Sequence, residues 1–320
     1  MAAIVTTNLS KTYSGGLFKG GGTAAVRGLN LEVHEGEIFG FLGPNGAGKT
    51  TTIHLLLNFA RPTEGAAFLF GRPAAETEVR RRLGYMPESV NLHDYYRGRK
   101  LLEFYAGLAG IPPAARADRV TELLQLVNLE DAADKVVRKY SKGMAQRMGF
   151  AQAMLGDPDL LILDEPTASL DPVGRKEFRD ILVGLKRRGK TIFISSHILS
   201  EVEYVCDRVA IVQKGELKRM GTLQELSAGH VTLLRVRTLP AAVIEALAAT
   251  GAEVNLARDG ATIRCGDAPL REAVLQILAQ HGVEVVQQEA EAQSLEAIFM
   301  SAIGGAQRED TAAIAGAKIQ

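Results

Sequence analysis

The chain has no tryptophan and only two cysteines, Cys206 and Cys265, among 320 residues. Two cysteines at that separation supply neither the number nor the spacing of a disulfide framework or a zinc site, and they fit a reducing cytoplasm. An excess of charge of either sign is also missing: 37 Lys+Arg stand against 37 Asp+Glu, for a formal net charge of zero. That balance disfavours a nucleic-acid binder working through its overall field, because neutralising phosphates takes a cationic surplus or a strong basic patch. No apolar run approaches the ~18–20 residues that span a bilayer. The opening MAAIVTTNLSKTYSGG lacks the basic and apolar regions of a secretory signal, so any membrane role is expected to use a span supplied by another chain. What is present is 46% hydrophobic and 23% charged residues, an ordinary globular balance that excludes a disordered chain. The length suggests about two domains at ~150 residues each, with enough chain to bury a core without covalent staples.

The first segments, AIVTTNL and VRGLNLEV, alternate apolar and polar side chains as half-buried antiparallel strands do. Between them SGGLFKGGGT, residues 14–23, is too rich in glycine for a strand interior and reads as a loop. EIFGFLG, residues 37–43, is a short buried strand leading into PNGAGK and the helical TTIHLLLNF. From Arg97 to Leu155 apolar residues recur at three- and four-residue steps, broken at Ile111-Pro112-Pro113, which predicts a mostly helical block. After Asp157-Pro158 an α/β rhythm returns: LLIL, then a helix from PVGRKEF, then TIFIS and RVAIVQ, with KGELKRMG closing a hairpin. A first domain over 1–226 is the resulting expectation. A second follows over 231–303 in the order β-α-β-β-α-β, with Asp259-Gly260 as a hairpin turn, a ferredoxin-like pattern. Ser294–Met300 reads as a short amphipathic helix, and 304–320 as a disordered tail.

The chemistry concentrates at Gly43-Pro44-Asn45-Gly46-Ala47-Gly48-Lys49-Thr50, a full match to G-x-x-x-x-G-K-[ST] between a strand and a helix. Glycines let backbone N–H groups curl round phosphate oxygens, and the helix N-terminus adds positive potential, with Thr51 in the same first turn. Lys49 is suited to reach the β- and γ-phosphates, and the Thr50 hydroxyl to ligate Mg²⁺. Leu160-Leu161-Ile162-Leu163-Asp164-Glu165 ends a buried strand in two acids: Asp164 to organise Mg²⁺, Glu165 to orient and polarise the attacking water.

Seven ordered motifs over about residues 3–226 together resemble the ATP-binding subunit of an ABC transporter. The resemblance sets Tyr13 against adenine and makes Gly43–Thr50 the Walker A loop and Leu160–Pro166 the Walker B strand. Tyr85-Met86-Pro87-Glu88 takes the Q-loop place, and Tyr140–Arg147 that of the LSGGQ-type signature, with Ser141 and Gly143 facing a γ-phosphate. Ser169-Leu170-Asp171 falls at the D-loop, and His197 at the switch histidine, with a contact to γ-phosphate. Two departures stand out. Glu88 replaces the usual glutamine and, when ionised, only accepts hydrogen bonds, although it retains the capacity to ligate Mg²⁺. Lys142 and Met144 stand where glycine and glutamine are usual, as in the drug- and polymer-export branch, whose permeases are separate chains.

The fold class implied is an α/β P-loop NTPase core of ABC type, with an antiparallel β subdomain and a helical subdomain, plus a small C-terminal α+β domain. The function implied is ATP hydrolysis with ATP and Mg²⁺ as cofactors. A head-to-tail dimer with a second ATP-binding subunit would close on MgATP and drive a separate transmembrane permease at the cytoplasmic face of the membrane, for export. The C-terminal unit resembles the extension of export-type subunits, which ends in a segment like Ser294–Phe299. A weaker similarity, through the Pro-Glu pair and the Tyr-Ser-Lys-Gly-Met run, extends to the ATPase serving copper-site maturation of nitrous oxide reductase. Two alternatives stand beside transport: a soluble ABC-type ATPase acting on nucleic acid or ribosomes, and a nucleotide-gated regulatory module. The first is disfavoured by the neutral charge, the single set of motifs and the lack of a coiled-coil or zinc insertion, and no nucleic-acid partner is expected.

Overall fold

A computed structural model describes residues 1–14, 22–227, 231–257, 260–266, 268–291 and 294–303. Most of the glycine-rich stretch 14–23, Asp259 of the expected turn, and the tail 304–320 lie outside the described residues. The chain divides into two compact units, Met1–Gly221 and Thr222–Gln320. The division falls slightly before the expected limit at 226, because a short helix, Leu223–Ser227, groups with the second unit.

The first unit holds two sheets. In the first, β1 (Ala2–Tyr13) pairs antiparallel with β2 (Thr23–His34) and β4 (Glu64–Leu69), and β5 (Arg72–Pro73) extends the edge. The second is built on β3 (Ile38–Leu42), flanked by β8 (Thr191–Ser196) and β9 (Arg208–Gln213), both parallel to it. Beyond β8 lie β7 (Leu160–Asp164) and β6 (Leu83–Met86), and beyond β9 lies β10 (Glu216–Thr222), giving the order β10-β9-β3-β8-β7-β6. Every residue of β3, β7 and β8 is buried. This is why these strands read as unbroken apolar runs: a parallel sheet covered on both faces has no polar side to alternate with. Phe193 on β8 sits at the centre, its ring 5.9 Å from that of Phe39 and 5.3 Å from that of Phe41. Each such buried ring contributes roughly 1.5–3 kcal/mol relative to exposure.

The expected helices form as α1 (Lys49–Leu56), the block α3 (Gly98–Leu108), α4 (Pro113–Leu126) and α5 (Lys142–Ala153), and α6 (Pro172–Arg187). Pro113 opens α4 at its first position, where the missing N–H costs nothing. Two short helices, α2 (Thr77–Arg80) and α7 (Leu199–Val205), and the strands β4, β5 and β6 are not apparent in the sequence pattern.

In the second unit β11 (Val231–Val236), α9 (Ala241–Thr250), β12 (Glu253–Ala257), β13 (Gly260–Cys265), α10 (Ala268–Gln280) and β14 (Val285–Glu291) follow the short helix α8 (Leu223–Ser227). The sheet order is β12-β13-β11-β14, with antiparallel pairs. Val243, Leu247, Val274 and Leu278 from the two long helices pack on Leu234, Ile263 and Cys265 in a core of its own. A last helix covers 295–303, with the Ser294 hydroxyl accepting the Ala297 N–H at 3.2 Å.

Candidate nucleotide site

Between β3 and α1 the loop turns twice with positive φ, at Gly46 (77°) and Gly48 (101°). A Cβ on Gly48 would lie 2.3 Å from the Ala25 carbonyl oxygen, and one on Gly43 2.5 Å from that of Val212. The glycines are therefore dictated by both backbone conformation and clearance. The loop ends on the N-terminus of α1, whose first turn holds no acidic side chain. N–H groups and dipole thus face the same cavity, an arrangement suited to an anion.

That cavity measures about 460 Å³ and is walled by Ala25, Pro44, Asn45, Gly46, Gly48, Lys49, Thr50 and Thr51, with Glu88, Glu165 and His197 on the remaining side. Its size suits a small-molecule ligand. Gly43 and Ala47 stand behind the wall: the Gly43 carbonyl accepts from the Lys49 ammonium at 2.7 Å, and the Ala47 carbonyl from the Gly215 N–H at 3.0 Å. Lys49 Nζ is also 3.1 Å from Glu165 Oε1, and both side chains are only 7% exposed.

Glu165 is the most constrained residue of the site. Its φ of 49° is left-handed, which costs on the order of 1–3 kcal/mol for a residue other than glycine. Ser195 holds it there, accepting the Glu165 N–H at its carbonyl (3.2 Å) and at its hydroxyl (3.0 Å). The same hydroxyl donates to Asp164 Oδ1 at 2.5 Å. His197 Nδ1 donates to Glu165 Oε2 at 2.7 Å, and the His197 N–H approaches the same oxygen at 3.3 Å. An ionised carboxylate can only accept, so the proton of this contact sits on Nδ1, and Nε2 faces away from Glu165. Burial, with a smaller contribution from the Asp164 charge, pushes the phenol of Tyr85, next to Met86-Pro87-Glu88, up to about 12.

The structure separates the expected site residues into groups. Pro44, Asn45, Gly46, Gly48, Lys49, Thr50, Thr51, Glu88, Glu165 and His197 meet at one cavity. Asp164 is 1% exposed and lies behind Glu165 rather than in the wall. Tyr13, 44% exposed, is not in the wall either; the Lys11 ammonium sits 5.1 Å over its ring, and Ala25 lines the cavity on the β2 side. Ser141 and Gly143 face a second cavity of about 580 Å³, together with Lys142, Met144, Ser169, Leu170 and Asp171. The two cavities have no residue in common. Ser141 also caps α5, accepting the Met144 N–H, and Asp171 caps α6, accepting the Gly174 N–H. Ser195 and Gln146 carry no role in the sequence motifs. Gln146 Nε2 donates to the Pro166 carbonyl at 3.0 Å, tying α5 to the turn after β7. Their only sequence signal is position, Ser195 beside His197 and Gln146 within the α5 motif.

The residues present fit a magnesium nucleotide. Among the described residues no group of three or more His, Cys, Asp or Glu is placed to hold a metal ion by itself. Thr50 at the head of α1 and Glu88 in the cavity wall offer hard oxygen donors of the kind Mg²⁺ takes, and this ion is commonly held by one or two protein oxygens together with substrate phosphates.

A glycine loop between a central parallel strand and a helix, with an acidic strand end two strands away, defines a P-loop nucleoside triphosphatase. Residues 26–168 match the family model described as ABC transporter. An ABC transporter ATP-binding protein of Nostoc sp. is 48% identical over 233 residues, 72% of this chain and 70% of its own length. The bacitracin transport ATP-binding protein of Bacillus licheniformis is 42% identical over 71% of each chain. A fluoroquinolones export ATP-binding protein of Mycobacterium tuberculosis is 43% identical over 63% of this chain and 66% of its own. A dimeric ATP-binding cassette bound to ADP and Pi superposes with a TM-score of 0.63 at 24% identity, covering 68% of this chain and 98% of that one, a likeness of fold. The chain belongs to the ATP-binding proteins of ABC transporters. It is the subunit that binds and hydrolyses ATP to power transport, and such subunits work as dimers with transmembrane permease partners.

Proposed function

We propose that two copies of this chain close head to tail on two MgATP, each pairing its loop cavity with the Ser141 cavity of its twin. The observation that carries this reading is the separation of the two cavities on one chain. One face offers a cationic loop, the other a capping serine, a glycine and Lys142, and neither alone surrounds a triphosphate. Lys49 would hold the β- and γ-phosphates, with Thr50 and Asp164 on Mg²⁺ and Glu88 near enough to the cavity to join them. Mg²⁺ would screen the phosphate charge. Glu165 would orient water, with His197 keeping its carboxylate aimed and offering Nε2 toward the phosphate side. Tyr13 remains the proposed adenine neighbour.

The permease would sit against the helical block. Tyr95 is 82% exposed, and the half-exposed rings of Tyr96 and Phe104, which follow Glu88 in the chain, stack on one another at 6.4 Å. Exposed apolar side chains gathered in this way mark an interaction surface. Among the described residues no helix is long and apolar enough to cross a membrane. Attachment to the cytoplasmic face through the permease, in the export direction suggested by the name of the fluoroquinolones relative, is therefore the proposed location and direction. ATP hydrolysis makes a purely regulatory module the weaker reading.

The experiment uses size-exclusion chromatography and ATP binding. Glu165→Gln with MgATP is expected to elute as a dimer while Lys49→Ala loses nucleotide affinity. Adding Ser141→Arg to Glu165→Gln is expected to return the protein to a monomer that still binds ATP. A dimer that survives Ser141→Arg would overturn the head-to-tail arrangement.

A further inference from the structure

The turn that leaves β7 is gripped from two sides. On one, Gln146 of α5 donates to the Pro166 carbonyl. On the other, the buried Thr167 hydroxyl donates to Glu201 Oε2 on α7. Glu201 lies on α7, four residues beyond His197 in the chain, and is only 6% exposed. Its second oxygen, Oε1, is buried and accepts no hydrogen bond among the described residues. The charge beside it is Arg175 of α6, with Nε 3.3 Å away. Arg175 Nε also donates to the Leu170 carbonyl at 3.0 Å, and the Arg175 N–H to the Asp171 carbonyl at 2.9 Å.

A buried carboxylate oxygen that has a guanidinium beside it but accepts no hydrogen bond is a poor choice for stability alone, since an apolar pair of similar volume commonly serves as well or better. Its placement suggests another use. Glu201 belongs to the helix that follows His197, which touches Glu165 in the loop cavity. Arg175 belongs to the helix that follows Ser169-Leu170-Asp171, which line the Ser141 cavity. Thr167 lies on the short path between the two.

We infer that Glu201 and Arg175 form a positioning pair that sets the 167–171 turn against the His197 segment, so that the hydrolytic site of one copy and the face it offers to its twin move together. This rests on the two-cavity reading above. Neither residue touches nucleotide. Both act through groups that do, so losing the pair leaves single-chain ATP binding intact and impairs turnover. A displacement of about 1 Å at a reacting centre can cost up to ~100-fold in rate. Loss of a side-chain pair one step removed is expected to cost about tenfold in kcat.

The test compares Glu201→Gln, Arg175→Gln, the double variant and Arg175→Lys. Glu201→Gln keeps an acceptor for Thr167 and removes the charge. Expected results are a kcat lowered about tenfold in each Gln single variant, with MgATP affinity of the monomer within about twofold of wild type. The double variant should be no worse than either single one, because coupled residues lose their interaction only once. Arg175→Lys, which keeps the charge, should recover part of the rate. The Glu165→Gln dimer should form less readily in the Glu201→Gln background. An unchanged kcat, additive losses in the double variant, or a rate loss that merely follows a falling Tm would overturn the positioning role. Failure of Glu165→Gln alone to dimerise on MgATP would instead remove the two-cavity reading on which the role depends.

Discussion

Lys49 carries one charge with two claims on it, the Gly43 carbonyl at 2.7 Å and the Glu165 carboxylate at 3.1 Å. Glu165 in turn divides its oxygens between Lys49 and His197. Lys49 and Glu165 thus neutralise one another, and in the proposed site a triphosphate would compete with that carboxylate for the lysine. Lys49→Ala leaves Glu165 buried with only His197 beside it. Removing one partner of a buried ion pair costs roughly 3–5 kcal/mol, and the remaining imidazole contact puts the expected loss at the lower end, about 3 kcal/mol. Glu165→Gln in the same chain removes the orphaned charge, so the double variant should regain part of the lost stability. Urea denaturation of wild type, Lys49→Ala and the double variant, each measured without nucleotide, checks this. Equal stabilities of Lys49→Ala and wild type would show that the pair contributes nothing to stability.

At the scale of elements, β6 is the strand that its sequence conceals best. Leu83-Gly84-Tyr85-Met86 is four residues long and carries a glycine, a combination that weakens any strand pattern. The structure gives the glycine its reason. A Cβ on Gly84 would fall 2.3 Å from the Ala153 carbonyl at the end of α5 and 2.8 Å from Leu161 and Pro158 side-chain atoms. Gly84→Ala is expected to push β6 away from α5 and destabilise the first unit by about 1–3 kcal/mol, the usual range for overpacking. Because β6 leads directly to Glu88, ATPase activity should fall with it. Thermal unfolding read beside the ATPase rate checks both, and a wild-type Tm would contradict the clearance argument. The same contrast explains what was legible. The buried strands LLIL and TIFIS, the glycine loop and the helical block announce themselves through runs, periodicity and caps, which are local properties. β4, with Glu64-Gly65-Ala66-Ala67, has low strand propensity and exists because β1 offers it an edge, a non-local cause. The site was legible as far as motifs reached: Lys49, Glu165 and His197 do meet. The clasp of Ser195 on Asp164 and Glu165 depends on β8 lying between β3 and β7, which no spacing in the chain reveals.

For the whole molecule, the question is whether the second unit is needed for the first to work. Each unit owns its core: Phe39, Phe41, Phe193 and their neighbours in one, Leu234, Val243, Ile263 and Leu278 in the other. Residues 231–291 carry a complete β-α-β-β-α-β set whose four strands pair only with one another among the described residues. A domain with its own core is expected to fold independently. A chain ending at 227 should therefore keep the ATP affinity of the full protein. Turnover is the discriminating measurement. If the second unit only caps the chain, the shortened protein should hydrolyse ATP at the full-length rate and its Glu165→Gln form should dimerise on MgATP as before. If it contributes to pairing, the shortened Glu165→Gln protein should need a higher protein concentration to dimerise, and kcat per chain should become concentration-dependent. Loss of ATP binding on truncation would contradict the independence of the two cores, from which both outcomes are derived.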